Sequence, residues 1–106
     1  MQDEMELLRL EAGFDEQAVP VLKIKGRRVI FCQKLNVGYS EFYSAESAGF
    51  KGLMKVKVYK ADYANEQHAV LDGKQVQLLR SYDLSNDFIK LTWRSYEGKD
   101  GAIVQL

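Results

Sequence analysis

The chain of 106 residues has few of the side chains on which most enzyme and metal chemistry depends, with one cysteine and one histidine. Because Cys32 is alone, the chain can form neither an intrachain disulfide nor a thiolate zinc cluster. A nucleophile–histidine relay would have to be built on His68, and nothing in the sequence places a nucleophile beside it. Phosphate-binding glycine loops are also absent, since Asp72-Gly73-Lys74 is typical of a hairpin turn. We therefore expect no catalytic, cofactor-binding or metal-binding residues, and no enzyme.

Long apolar runs are missing as well. No stretch approaches the roughly 18–20 apolar residues that cross a bilayer. The acidic start, Met1-Gln2-Asp3-Glu4, lacks the basic region of a signal peptide. These features predict an unprocessed intracellular protein without membrane contacts. The length and the 46% hydrophobic content fit one domain over residues 1–106, with residues 1–4 and 98–106 expected to be flexible.

The chain has no net charge, which argues against tight binding of duplex DNA by a free monomer. The charge is nevertheless unevenly placed, because residues 1–16 carry six acids and one base. A stretch without any acid follows, with five bases: Lys23, Lys25, Arg27, Arg28 and Lys34. Two interpretations stay open. The bases form a solvated strand face, or oppositely charged faces meet when copies pack side by side in a ring.

Alternation with a period of two dominates the pattern and predicts strands. The clearest are residues 53–59 and 88–95, and Asp72-Gly73 predicts a tight hairpin between residues 67–71 and 74–82. Ser85-Asn86-Asp87 predicts the next turn, which makes a three-stranded meander. We also expect a first strand over residues 5–12, ended by Gly13. Gly26 is expected to be a tight reversal between two further strands, residues 19–25 and 27–37.

One short helix is predicted at about residues 40–49, with Ser40 as N-cap and Gly49 just past its end. So short a helix is unstable alone and must dock on the sheet or on a partner. Five to seven short strands with one helix predict a mainly β fold, a small antiparallel β-barrel or half-open sandwich.

An ordered set of short motifs resembles the head–tail joining proteins of tailed bacteriophages, also called head-closure or stopper proteins. The first is Glu41-Phe42-Tyr43 with Ala45 and Gly49, before a strand. Ala61-Asp62-Tyr63 with Glu66 follows that strand. The last motif is a hairpin with Gly73, Arg80 and Tyr82. The resemblance covers roughly residues 5–97. One departure is that Gln75 and Val76 stand where family members often have an aromatic residue.

The resemblance implies a structural virion protein of a tailed phage or prophage, assembled in the bacterial host cytoplasm. Such proteins form a ring, six-fold or twelve-fold, beneath the portal and adaptor of the head–tail connector. The ring retains packaged DNA by steric contact and presents a docking surface to the tail terminator or tail. No chemistry and no cofactor are implied.

Candidate interface or gating residues follow from this expectation: Asp15, Glu16, Arg27, Arg28, Tyr39, Glu41, Phe42 and Tyr43. The gate is expected in the loop of residues 13–19 or in residues 38–51. Phe42 and Tyr43 either pack the helix onto the sheet or form an interface. Glu41 is either a residue favoured at a helix start or a partner of Arg80.

Two alternatives remain. One is another ring of the phage neck, a tail terminator or an adaptor, although the mostly β pattern disfavours the largely helical adaptors. The other is a small nucleic-acid-binding β-barrel that stacks bases on aromatic side chains. The candidates for that platform are Tyr59, Tyr63, Tyr82, Trp93 and Tyr96. Trp93 and Tyr59 fall in strand patterns that favour packing instead.

Overall fold

A computed structural model describes residues 3–96. The elements are β1 (Asp3–Phe14), β2 (Pro20–Leu35), α1 (Tyr39–Ser47), β3 (Met54–Tyr59), a 3₁₀ turn (Lys60–Asp62), β4 (His68–Leu71), β5 (Lys74–Asp83) and β6 (Phe88–Ser95). All strand pairs are antiparallel, and the sheet closes in a ring in the order β1-β2-β3-β6-β5-β4. The predicted mainly β fold with one short helix is confirmed. Of the ends predicted to be flexible, residues 3 and 4 lie in β1, whereas residues 1–2 and 98–106 fall outside the described residues.

The core lies inside the ring and follows from the alternation along the strands. Val56 and Val58 of β3, and Leu91 and Trp93 of β6, are fully buried. The core cluster consists of Met5, Leu7, Ile30, Cys32, Val56, Val58, Ala69, Leu71, Val76, Leu91 and Trp93. The predicted hairpin is also confirmed, because β4 and β5 are joined by Asp72 and Gly73, both with positive φ (54° and 75°).

The prediction of a reversal at Gly26 is wrong. Gly26 lies within β2, a single strand of 16 residues that pairs with β1 from Asp3↔Cys32 to Phe14↔Pro20. The register shifts between Arg9 and Leu10, opposite Gly26 and Ile24, which marks a β-bulge. The Arg9 side chain lies over Gly26, and glycine in a strand commonly marks such a bulge or close approach. Gly13 likewise lies within β1 and does not end it.

The chain reverses at residues 15–19 instead. The carboxylate of Asp15 accepts hydrogen bonds from the backbone amides of Gln17 (2.8 Å) and Val19 (2.9 Å). Ala18 adopts a positive φ of 63°, and the Asp15 amide donates to the carbonyl of Val19. The loop predicted to hold a gate is therefore an ordered turn that Asp15 organises.

Beyond the ring, β1 and β2 continue as a two-stranded ribbon. β4 pairs with β1 only at residues 6–8, and β3 pairs with β2 only at residues 33–35. We call residues 9–26 the arm. The part of β1 in the arm, residues 9–14, is about 20 Å long at about 3.3 Å per residue. The molecule measures 44 × 33 × 21 Å, and its elongated shape accords with this projection.

The helix begins at Tyr39, two residues earlier than an N-cap at Ser40 predicts, and Ser40 is not its N-cap. Gly38 occupies that position with extended backbone, and no side chain caps the helix start. The predicted end is confirmed, since Gly49 follows the C-cap with φ of 87°. The amides of Gly49 and Phe50 donate to the carbonyls of Glu46 and Ala45, which is the Schellman arrangement.

Candidate interaction surfaces

The single cysteine and the single histidine are both shielded from solvent, Cys32 fully and His68 in part. Cys32 is fully buried, and burial raises the pKa of its thiol to about 11. Burial, with the nearby Arg94 charge, lowers the pKa of His68, whose ring lies edge-on to Tyr96. Between residues 3 and 96, no three His, Cys, Asp or Glu side chains are grouped so that they could hold a metal ion. No helix in that part of the chain is long and apolar enough to span a bilayer.

A charged clamp fastens α1 to the outer face of the sheet. Glu41 accepts hydrogen bonds from Lys55 Nζ (2.9 Å) on β3 and from Arg80 Nη2 (2.7 Å) on β5. In the sheet register Thr92 of β6 lies between these two cations and is buried. The hydrogen bond from Lys55, followed by the charges of Lys55 and Arg80, lowers the pKa of Glu41. Of the two interpretations of Glu41, the pair with Arg80 is confirmed. Lys55 was not among the expected partners, because alternation in residues 53–59 places it on the outer face of a strand without indicating what it contacts.

The aromatic side chains of α1 point outward. Tyr39 is 77% exposed, Tyr43 54% and Phe42 41%, whereas Ala45 is the one buried side chain of the helix. The hydroxyls of Tyr39 and Tyr43 lie 3.0 Å apart, and the two rings meet edge to face at 4.7 Å. The helix therefore docks through Glu41 and Ala45 and leaves an aromatic surface free, which we call the aromatic face of α1.

The basic stretch of β2 finds acidic partners within the chain. Lys25 pairs with Glu11 (3.3 Å), and Arg27 pairs with Glu6 (3.5 Å). Lys34 donates to Asp72 at 2.6 Å, and Arg28 contacts Glu66. The uneven charge along the sequence is thus partly neutralised across the β1–β2 ladder. Most of these groups remain exposed, so their charges are also available to other molecules.

The second motif builds a loop beside Arg28. Tyr63 donates from its hydroxyl to the carbonyl of Glu66 (2.8 Å), and the Glu66 carboxylate accepts from the amide of Ala64 (2.7 Å). Burial by itself raises the pKa of Glu66, but hydrogen bonds from Arg28 and from backbone amides lower it overall. Burial, with Glu66 nearby, raises the pKa of Tyr63 to about 12. Asp62 lies at the end of the adjacent 3₁₀ turn. The contacts of Tyr63 and Glu66 hold this loop against Arg28 at the base of the arm.

A patch of aromatic rings and lysines lies on the outer face of β3, β5 and β6. Tyr59 packs on Phe88 at 4.8 Å, and Lys57 Nζ lies 4.6 Å from the centre of that ring. Lys90 Nζ lies 5.1 Å from the ring of Tyr82. Of the five rings considered for base stacking, only Tyr59 and Tyr82 are well exposed; Trp93 is fully buried and Tyr63 and Tyr96 are half-buried.

Comparisons of the chain with models of protein families, with curated proteins and with solved structures give no match. The resemblance to head–tail joining proteins therefore stays a prediction.

Proposed function

We propose that the protein is the head-closure ring of a tailed phage or prophage. Copies assemble beneath the portal and adaptor, retain the packaged DNA and offer a surface to the tail. The proposal needs protein surfaces and no reactive groups.

The observation that carries the proposal is the arm. A closed sheet is a rigid body of limited reach, and the arm extends it by about 20 Å. The tip presents Asp15 and Glu16, and the Asp15 carboxylate is already engaged in holding the turn. Arms gathered around one axis narrow the passage for a duplex sterically, and exposed acidic tips repel phosphate. These features favour the arm tip over residues 38–51 as the gate, because the clamp at Glu41 ties α1 to the sheet.

The aromatic face of α1 supports a docking role. Exposed aromatic side chains are enriched where proteins bind one another, and Tyr39, Phe42 and Tyr43 form a contiguous group here. A ring that links a head to a tail needs contacts beyond those between its own copies. We assign this face to the adaptor or to the tail side of the connector.

Co-sedimentation with filled, tailless phage heads tests the proposal. The wild-type protein should sediment with heads of the matching phage. A Tyr39→Ala, Phe42→Ala variant should keep its fold, since both side chains are exposed, and lose binding. Tyr59→Ala is the matched control, because it removes an exposed ring on β3, and it should bind as the wild type does. No binding by the wild type to matching heads would contradict the proposal.

A second candidate function, binding of single-stranded nucleic acid, is favoured by the patch on β3, β5 and β6. Lys57 and Lys90 are directly opposed in the register, an arrangement of like charges that an anion would relieve. Bases could stack on Tyr59 and Tyr82. Salt-dependent binding of a short single strand by the monomer, lost in Tyr59→Ala and retained in Phe42→Ala, would favour this function over a ring.

A further inference from the structure

The arm exposes two unpaired strand edges. Within residues 3–96, the backbone of residues 9–14 pairs only with β2, and the backbone of residues 20–32 pairs only with β1. A strand edge is a row of free N–H and C=O groups that another strand can extend. The arm and its base therefore have a β1 edge (residues 9–14) and a β2 edge (residues 20–32, of which 20–26 lie in the arm).

The arm also has an apolar face. Five side chains alternate onto one side of the ribbon and meet in register: Leu10, Ala12, Phe14, Leu22 and Ile24. Phe14 is 65% exposed. An open groove of about 900 Å³ lies beside β2 and the tip of the arm, and its lining combines apolar residues such as Leu22 and Ile24 with charged ones such as Glu16 and Lys23. A two-stranded ribbon is marginally stable alone in water, so further strands on its edges would stabilise it.

Charge identifies what fits these edges. Residues 9–16 carry three acids (Glu11, Asp15 and Glu16) and one base, whereas residues 20–28 carry four bases and no acid. The β2 edge of one copy therefore complements the β1 edge of another. Pairing of two β2 edges about a two-fold axis would instead place the bases of one copy opposite those of the other, for example Lys25 opposite its own copy and Lys23 opposite Arg27. Like charges directly opposite destabilise a sheet.

We propose that a second copy of this chain occupies the arm, with the β2 edge of each copy pairing with the β1 edge of the next. Because β1 and β2 are antiparallel, side-by-side arms in one orientation continue an antiparallel sheet. The two edges differ, so the contact is head-to-tail. Such contacts close into a ring of copies when the rotation from each copy to the next adds up to a full turn. This inference deepens the proposed ring function, because it names the surface through which copies contact each other.

Complementary charge variants test the proposal in the full chain. The acidic variant is Lys23→Glu with Lys25→Glu, and the basic variant is Glu11→Lys with Glu16→Lys. Each variant alone brings like charges together at every contact between arms. An equimolar mixture can alternate, so that opposite charges meet at both edges. Lys51→Glu with Lys74→Glu is the control for the acidic variant, with the same change in net charge at exposed positions outside the arm.

Sedimentation velocity in low salt measures self-association over a range of concentrations. We expect the wild type and the control to associate, and each charge variant alone to associate about tenfold more weakly or worse. The mixture should recover to near the wild-type level. On association, hydrogen exchange should slow for backbone amides in residues 20–32. Circular dichroism verifies that each variant is folded.

Three results would overturn the proposal: a wild type that stays monomeric at every concentration, variants that associate alone, or a mixture that fails to recover. The assay is separate from the test of function. Association through the arm without any binding to phage heads would contradict only the head-closure function. If heads bind the acidic variant with the same affinity as the wild type, only the pairing of arms would be contradicted.

Discussion

At the scale of single residues, Glu41 is the side chain that fastens α1. Among the ion pairs of residues 3–96, it is the acid that contacts two cations from different strands. Ala45 is the buried side chain of the helix. The low pKa of Glu41 fixes the sign of its pH effect. The stabilisation is complete above the usual pKa of 4.5 and is lost as the pH falls through the lower value of the folded state.

Replacing Glu41 with Gln should lower the free energy of unfolding by about 1 kcal/mol, because both charge-assisted hydrogen bonds weaken. Urea unfolding at neutral pH measures the change. Glu46→Gln is the matched control on the same helix, since the Glu46 side chain has no ion pair among the described residues. Equal effects of the two substitutions would mean that the clamp does not stabilise the fold.

His68 gives the molecule a second pH response. Because the pKa of His68 is lowered in the folded state, the unfolded chain binds the proton first as the pH falls. Its contribution to stability is present above the usual value of 6.5 and is lost between that value and the lower folded one.

Urea unfolding one pH unit above and one unit below 6.5 tests this response. The wild type should be less stable at the lower pH, and the His68→Gln variant should lose most of that difference. Since His68 is the only histidine, a slope that persists in the variant would show that another group is responsible.

At the scale of elements, the connection from α1 to β3 depends on two glycines that differ in their surroundings. Gly49 and Gly52 both have positive φ, 87° and 65°. A Cβ at Gly49 would meet nothing within 4 Å, whereas one at Gly52 would collide with Ser95 Oγ. The backbone conformation penalises alanine at both positions, and only Gly52 adds a steric clash.

Gly49→Ala should therefore destabilise the fold by about 1 kcal/mol, which is the cost of the left-handed conformation. Gly52→Ala should cost about 2 kcal/mol or more, because Ser95 and the end of β6 must shift. Thermal unfolding of the two variants side by side measures the difference. A Gly52 variant no less stable than the Gly49 variant would contradict the close approach to Ser95.

Local signals predicted the elements whose cause is local. The strands at residues 54–59 and 88–95 follow from strict alternation, and the Asp72-Gly73 turn follows from its need for positive φ. Gly26 was misread because a glycine beside a bulge and a glycine in a turn look alike in sequence. The cap was misplaced because Gly38 starts the helix without a side-chain bond, which leaves no signal.

Most contacts between residues far apart in the chain could not be predicted from the sequence. Arg28–Glu66 and Lys34–Asp72 each join residues 38 positions apart, and only the closed sheet brings them together. Glu41–Arg80 was one of two open interpretations of Glu41, and the structure decides between them. The arm was missed for the same reason as the bulge, since breaking β2 at Gly26 divided its long strand in two.

At the scale of the whole molecule, two parts have different properties. The closed sheet of each copy buries a full apolar core, whereas the arm is an open ribbon with free edges, an apolar face and an acidic tip. The zero net charge allows many copies to meet without general repulsion, while the local charges of the arm set which edges meet. A ring assembled on an existing connector can also gain affinity by adding many weak contacts.

The central claim is that the ring holds DNA inside a filled head. The most direct measurement is the amount of nuclease-sensitive DNA released by filled, tailless heads, with and without the purified protein. Heads that have bound the protein should release much less DNA than bare heads, and the acidic variant of the arm should not protect them. Binding of the protein while DNA still leaks at the rate of bare heads would contradict a closure function and would indicate a different ring of the neck.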